Sequence, residues 1–187
     1  MAAKKLSLPE KIEALHETLR KARVPHAFGG ALALAYYAEP RATIDIDVNL
    51  FVPPKRFESV RKTLAPLGIS GDVDAAKVER DGQCRLCWER NPIDLFFAYD
   101  KIHDAMKRDV RSVPFGSTKV PILSPEHLLV CKVALDRPKD WLDIEQVLVS
   151  VEHLELYEID EWLARLLGKR DARKRRFDGL AEDLRST

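Results

Sequence analysis

Residues 29–52, GGALALAYYAEPRATIDIDVNLFV, place Asp45 and Asp47 two residues apart in a run that otherwise reads as a buried strand. Carboxylates in such surroundings need a partner. Read as one strand over residues 41–52, the segment alternates strictly. Ala42, Ile44, Ile46, Val48, Leu50 and Val52 fall on one face, and Arg41, Thr43, Asp45, Asp47 and Asn49 on the other. Residues two apart on one face are about 7 Å apart at the backbone, so both carboxylates can converge on shared cations. The pattern demands a sheet with one face against helices and a polar row on the other.

The rest of the chain supplies those helices. Ser7, Pro9 and Glu10 form a capping box, and Ile12, Leu15, Leu19 and Ala22 then recur at helical spacing until Pro25. VPHAFGG reads as a short strand ending in Gly29-Gly30, ALALAYYA as a compact helix stopped by Pro40, and residues 54–67 as another helix. The stretch at 68–83 reads as loop. CRLCWER and IDLFFAY read as strands joined by a turn at Asn91-Pro92, and RSVPFGSTKVPIL as extended with turns at Pro114 and Gly116. Ser124-Pro125-Glu126 starts a helix that Pro138 breaks, KDWLDIEQVLVSV resumes it, and the chain from about Leu154 is helical. This order predicts an α+β fold, a mixed sheet flanked by helices over residues 1–123. A helical C-terminal region, 124–187, is expected to pack on that core.

A third acid, Asp94, sits in NPIDLFFA, again alone in an apolar strand. If that strand lies beside the first, three carboxylates meet in one cleft and repel one another. Divalent ions with oxygen ligands relieve the repulsion, and magnesium completes its shell with water and phosphate. Gly29 and Gly30 end a strand where a helix begins, so a phosphate can approach bare backbone N–H groups; a tight strand-to-helix turn explains them equally well. Cys84 and Cys87 make a lone C-x-x-C with no second pair, and read as small buried hydrophobes rather than zinc ligands.

Together these residues resemble a known family. FGGALALAYYAEPRATIDIDVNLFV is similar to the opening of the polymerase-β-type nucleotidyltransferase fold, and IDLFFA to its third acid-bearing strand. VPILSPEHLLVCKVALDRPKDWLDIEQVL resembles the helical segment of AbiEii-like nucleotidyltransferases, which include toxins of bacterial toxin–antitoxin pairs. The likeness covers roughly residues 24–150. One departure is Ala31, where many members carry serine. The resemblance implies two magnesium ions held by Asp45, Asp47 and Asp94, with Asp94 activating the acceptor hydroxyl. It also implies a nucleoside triphosphate (NTP) held by Gly29, Gly30, Arg41, Thr43, Lys132 and Asp143, an RNA or tRNA acceptor, and an antitoxin partner. Among the catalytic residues it places Lys132 beside the three acids.

Lys132 stands on the apolar stripe of its helix, so its ammonium either snorkels outward or points into a polar cleft. Arg137, Asp140 and Asp143 follow in an R-x-x-D-x-x-D-I pattern that either caps a helix or orients Lys132 or nucleotide. Lys169, Arg170, Arg173, Lys174, Arg175 and Arg176 make the C-terminal segment basic, either a solvated face or a seat for RNA phosphates. Over the whole chain 31 Lys and Arg nearly balance 30 Asp and Glu, so the chain is no polycation. No apolar run suits a signal peptide or a membrane span, and three cysteines suit a reducing compartment. The expected setting is cytoplasmic, with no membrane. Two other readings share this fold: a drug-modifying nucleotidyltransferase, which calls for an acidic cleft beyond the metal ligands, and a non-catalytic nucleotide- or partner-binding module.

Overall fold

The computed structural model describes residues 5–185. The chain divides into two compact units, one made of the chain up to Leu32 together with Ala42–Ile122, the other of Ala33–Arg41 together with the chain from Leu123 on.

The first unit is built on six strands: β1 (His26–Phe28), β2 (Ile46–Leu50), β3 (Gln83–Trp88), β4 (Asn91–Phe97), β5 (Arg111–Phe115) and β6 (Thr118–Ile122). They form one mixed sheet in the order β3-β4-β2-β1-β6-β5. Strand β2 runs antiparallel to β1 and parallel to β4, and β3 is antiparallel to β4. Along β4, Asn91, Ile93, Leu95 and Phe97 are buried while Pro92, Asp94 and Phe96 are partly open, the alternation of a sheet with one covered face. Phe97 meets Phe57 edge-on, with ring centroids 6.2 Å apart.

Helix α1 (Leu8–Lys21) starts with the expected capping box and buries Ile12, Leu15 and Leu19. It also buries Lys11, which is 1% exposed yet fully satisfied. Its ammonium donates to the Trp88 carbonyl at 3.2 Å, to Glu89 at 2.8 Å and to the Asn91 side chain at 2.8 Å. Asn91 in turn donates to the carbonyl of Ile44 at 2.9 Å. A buried lysine therefore fixes the β3–β4 hairpin and ties it to the chain entering β2. Helix α2 (Gly30–Leu34) runs from the first unit into the second, and α3 (Phe57–Leu64), α4 (Ala75–Asp81) and α5 (Lys101–Arg108) complete the first.

Several local expectations are corrected. The strand expected over 41–52 is regular only from Ile46 to Leu50, and Ile44, expected on the covered face, is 56% exposed. Asn91-Pro92 opens β4 rather than turning; the turn falls at Glu89-Arg90, with Glu89 at φ 55°. Pro114 lies inside β5, where an edge strand tolerates its missing N–H. The stretch at 68–83 contains α4, capped by Asp74 and ended by left-handed Gly82. Cys87 is exposed and Cys84 half-buried, so neither is a core residue.

The second unit holds α6 (Pro125–Leu135), α7 (Pro138–Ser150), α8 (Leu156–Leu166) and α9 (Ala172–Arg185). Ser124 caps α6 by accepting from the His127 N–H. The segment before β2 joins this unit through the Tyr37 hydroxyl, which donates to the Leu123 carbonyl at 2.7 Å. Half of the basic C-terminal run serves structure here. Lys174 is held by Asp160 and Asp178, Arg173 donates to Asp171 and to the Ala134 carbonyl, and Arg176 lies 4.0 Å over the Trp141 ring. Among the described residues no helix is long and apolar enough to cross a membrane.

His16 and His26 form a buried imidazole pair in the first unit, their nitrogens 3.0 Å apart. The other nitrogen of His26 is 2.8 Å from the Val24 carbonyl and donates to it, which in neutral His26 leaves Nε2 to accept from His16 Nδ1. Burial drives His26 down to about 4. The unfolded chain, with an ordinary histidine near 6.5, takes the proton first, so stability is lost as pH falls from about 6.5 towards 4. The loss from His26 alone is on the order of 3 kcal/mol. Urea unfolding at intervals between pH 7 and 4 should show that loss, and a His26→Gln variant should flatten it. Equal acid slopes in both proteins would contradict this assignment.

Candidate active site

The register of the sheet decides which side chains meet. Asp47 is paired with Asp94 across the parallel β2–β4 ladder, and Asp94 with Arg85 across β4–β3. Partners in register share a sheet face, so Asp47, Asp94 and Arg85 make one row across three strands, about 4.8 Å apart in the ladder direction. Asp45 enters the row from the residue before β2, its N–H held by the Thr43 hydroxyl at 3.1 Å. Thr43 thus shapes the turn that delivers Asp45.

Arg85 responds to the whole cluster. Its hydrogen bonds to Asp94 and then the charge of Asp94 raise its pKa most, and the charges of Asp45 and Asp47 raise it further. One guanidinium therefore feels all three carboxylates. Its Nε donates to Asp94 Oδ1 and its Nη2 to Oδ2, both at 2.7 Å, a bidentate pair. The sequence reading missed Arg85, although its place opposite Asp94 follows once CRLCWER and IDLFFA pair as a hairpin. Burial, reinforced by the charge of Asp94, pushes the Cys84 thiol up to about 12, so it stays protonated beside the acids.

Gly29 and Gly30 carry the chain over Asp47. The Gly29 N–H donates to the Asp47 carbonyl at 3.0 Å, extending the β1–β2 ladder by one bond. Gly30 then turns left-handed at φ 52°. A Cβ on Gly30 would stand 1.8 Å from Asp47 Oδ2, so the carboxylate occupies the space that any side chain there would take. Ala31 follows as a buried residue. The oxygen-only donor set of Asp45, Asp47 and Asp94 fits a hard divalent cation, and the summed negative charge that acts on Arg85 is what such an ion would neutralise.

The other sequence-derived candidates lie in the second unit. Lys132 is 3% exposed and neither snorkels nor stands alone, donating to Asp143 at 2.5 Å and to Asp140 at 3.5 Å. Arg41 donates to both oxygens of Asp143 at 3.1 and 3.3 Å, and Arg137 to Asp140 at 2.6 Å. Burial alone would raise the Asp143 carboxyl, but the bonds from Arg41 and Lys132 outweigh it and hold it below its ordinary range. The aspartates of α7 thus hold Lys132 in a five-residue ionic network.

The comparisons with known proteins bear on this geometry. The model of the nucleotidyltransferase AbiEii toxin family, of type IV toxin–antitoxin systems, matches residues 14–186. The chain belongs to this family. The match runs beyond the 24–150 over which the resemblance is legible in sequence. No curated protein matches the AbiEii-family chain by sequence. Among solved structures it is similar to the antibiotic-resistance factor ANT(2'')-Ia, with 17% identity, a TM-score of 0.53, and 94% of this chain and 89% of that one covered. ANT(2'')-Ia in complex with adenylyl-2''-tobramycin matches at 16% identity and TM-score 0.53, covering 95% and 97%. The lincomycin-bound lincosamide antibiotic adenylyltransferase LnuA matches at 16% and 0.54, covering 77% and 98%. At these identities the likeness is one of fold, the polymerase-β-type nucleotidyltransferase fold. This AbiEii-family protein is a nucleotidyltransferase.

Two expected outcomes test the construction. Gly30→Ala should lower stability by at least about 1 kcal/mol from the left-handed backbone alone, with an added cost from the clash. Combining it with Asp47→Ala should recover the clash part only, giving a coupling that chemical unfolding measures; additive effects would contradict the contact. Lys132→Met should cost about 1–3 kcal/mol, since Asp143 and Asp140 lose their shared buried ammonium but keep Arg41 and Arg137. A change below about 1 kcal/mol would mean the network contributes little.

Proposed function

We propose that this AbiEii-family protein uses magnesium to move a nucleoside monophosphate from an NTP to an acceptor hydroxyl on RNA, a tRNA end foremost. The observation that carries the reading is the in-register row of Asp47 and Asp94 with Asp45 beside it. The acceptor oxygen would lose its proton and bond to the α-phosphorus as the bond to pyrophosphate breaks. Asp45, Asp47 and Asp94 would hold the ions, and Asp94 would take the acceptor proton. Bound there, two magnesium ions would supply charge neutralisation at the attacking and leaving oxygens. Phosphate binding at Gly29 and Gly30 rests on the family resemblance, for the Gly29 N–H is spent on the Asp47 carbonyl and Asp47 fills the space beside Gly30; Thr43 would keep Asp45 in place. A nucleotide-binding role for Arg41, Lys132 and Asp143 rests on the family resemblance.

Arg85 favours a phosphate-bearing acceptor over a drug such as the aminoglycoside in the ANT(2'')-Ia complex. Once magnesium balances the acids, the Arg85 guanidinium beside them would repel a polycation and attract a phosphodiester. Type IV family membership supports a toxin role with an antitoxin partner. Three reduced cysteines suit a cytoplasmic setting.

The test offers the protein each α-labelled NTP with magnesium and, separately, total RNA, tobramycin or lincomycin. Label should enter RNA only, and chelation should abolish transfer. Asp47→Asn should reduce it by more than the roughly 100-fold that outer-shell partners of a metal cost, with the melting temperature unchanged or raised as repulsion is relieved. Label on a drug would redirect the acceptor, and no metal-dependent label on any acceptor would contradict the transferase reading.

A further inference from the structure

The bidentate pair on Asp94 raises a conflict that the metal reading must resolve. Arg85 occupies one lone pair on each oxygen of Asp94, so a divalent ion bound there meets a positive charge already on the carboxylate. The two partners differ in freedom. The Asp94 side chain is 18% exposed and fixed in the sheet, whereas that of Arg85 is 59% exposed on β3, at the sheet edge. The guanidinium is the member able to move.

We infer that Arg85 is a built-in stand-in for the divalent cation at Asp94, balancing and orienting the carboxylate until an ion arrives and then yielding to it. The inference rests on the metal-site reading above. Arg85 is a positioning residue in this account, acting through Asp94. Carboxylates gathered in one row without any cation would repel one another and splay. The guanidinium opposes this and keeps Asp94 in the row. The cost is competition, since an ion at Asp94 must share the carboxylate with a guanidinium or replace it. Because the guanidinium is 59% exposed and can be taken up by water, that competition is modest. A structural pair serving only to join β3 to β4 would sit equally well at any register position. Here it falls on the one residue of β4 that stands opposite a strand-borne aspartate of β2.

Manganese titration of the full-length protein without nucleotide, with free ion read by electron paramagnetic resonance, tests the inference directly. Arg85→Ala should bind manganese tighter than the unaltered protein, on the order of fivefold, the amount an exposed ion pair can contribute. Arg85→Lys, which keeps the charge and loses the fork, should fall between them. Asp94→Asn should weaken binding and erase the gain from Arg85→Ala in the double variant. Circular dichroism of each variant guards against misfolding. Binding that depends on Asp47 but is unchanged or weakened by Arg85→Ala would overturn the inference and leave the metal site standing. Absence of manganese binding in both proteins would remove the metal-site reading and the inference together.

Discussion

The parallel pairing of β2 with β4 is the constraint on which the site depends. It sets Asp47 opposite Asp94, and the antiparallel return of β3 sets Arg85 opposite Asp94 in turn. A slip of one residue in either ladder would move an acid to the covered face, among Ile93, Leu95 and Phe97, where a lone carboxylate costs several kcal/mol. The register is therefore enforced by the core as much as by the site. Lys11 strengthens it from behind, since its buried ammonium joins the β3–β4 hairpin and, through Asn91, the chain that enters β2.

Placing like charges together raises the energy of the empty fold, and the structure offsets this locally. Arg85 balances part of the negative charge, and the absence of a side chain at Gly30 leaves Asp47 room it could not otherwise have. The second unit solves a related problem differently. Its charges meet in opposite-sign contacts, Lys132 and Arg41 on Asp143, Arg137 on Asp140, and Lys174 on Asp160 and Asp178, with Lys132, Asp140, Asp143 and Lys174 buried. Buried networks of that kind fix geometry more than they add stability. The contrast is chemical. Among the described residues, the first unit gathers acids around the exposed guanidinium of Arg85.

Much of this was legible in the sequence. The alternation around Asp45 and Asp47 marks a one-sided strand because side-chain direction has a period of two, and Ser7, Ser124 and Pro138 mark helix starts through capping chemistry. The family resemblance followed from the same residues. Other features needed three dimensions. Residues 41–45 alternate as well as 46–50 do, yet Asn91 and Thr43 hold them out of the ladder, so Ile44 is exposed. Asn91-Pro92 looks like a turn because Asn and Pro favour turns, but the buried ammonium of Lys11 makes Asn91 a strand residue. Helix α4 buries only Val78, too little apolar periodicity to read. Arg85 was invisible because an arginine in a polar strand is ordinary until its cross-strand neighbour is known.

The central claim is that three acids on one sheet face hold magnesium, with Arg85 giving way to it. A crystal structure with magnesium and a non-hydrolysable NTP measures this most directly. The expected result is metal about 2.1 Å from oxygens of Asp45, Asp47 and Asp94, with the Arg85 fork detached from at least one Asp94 oxygen. Nucleotide and metal bound elsewhere, with Arg85 still clasping both oxygens of Asp94, would contradict it.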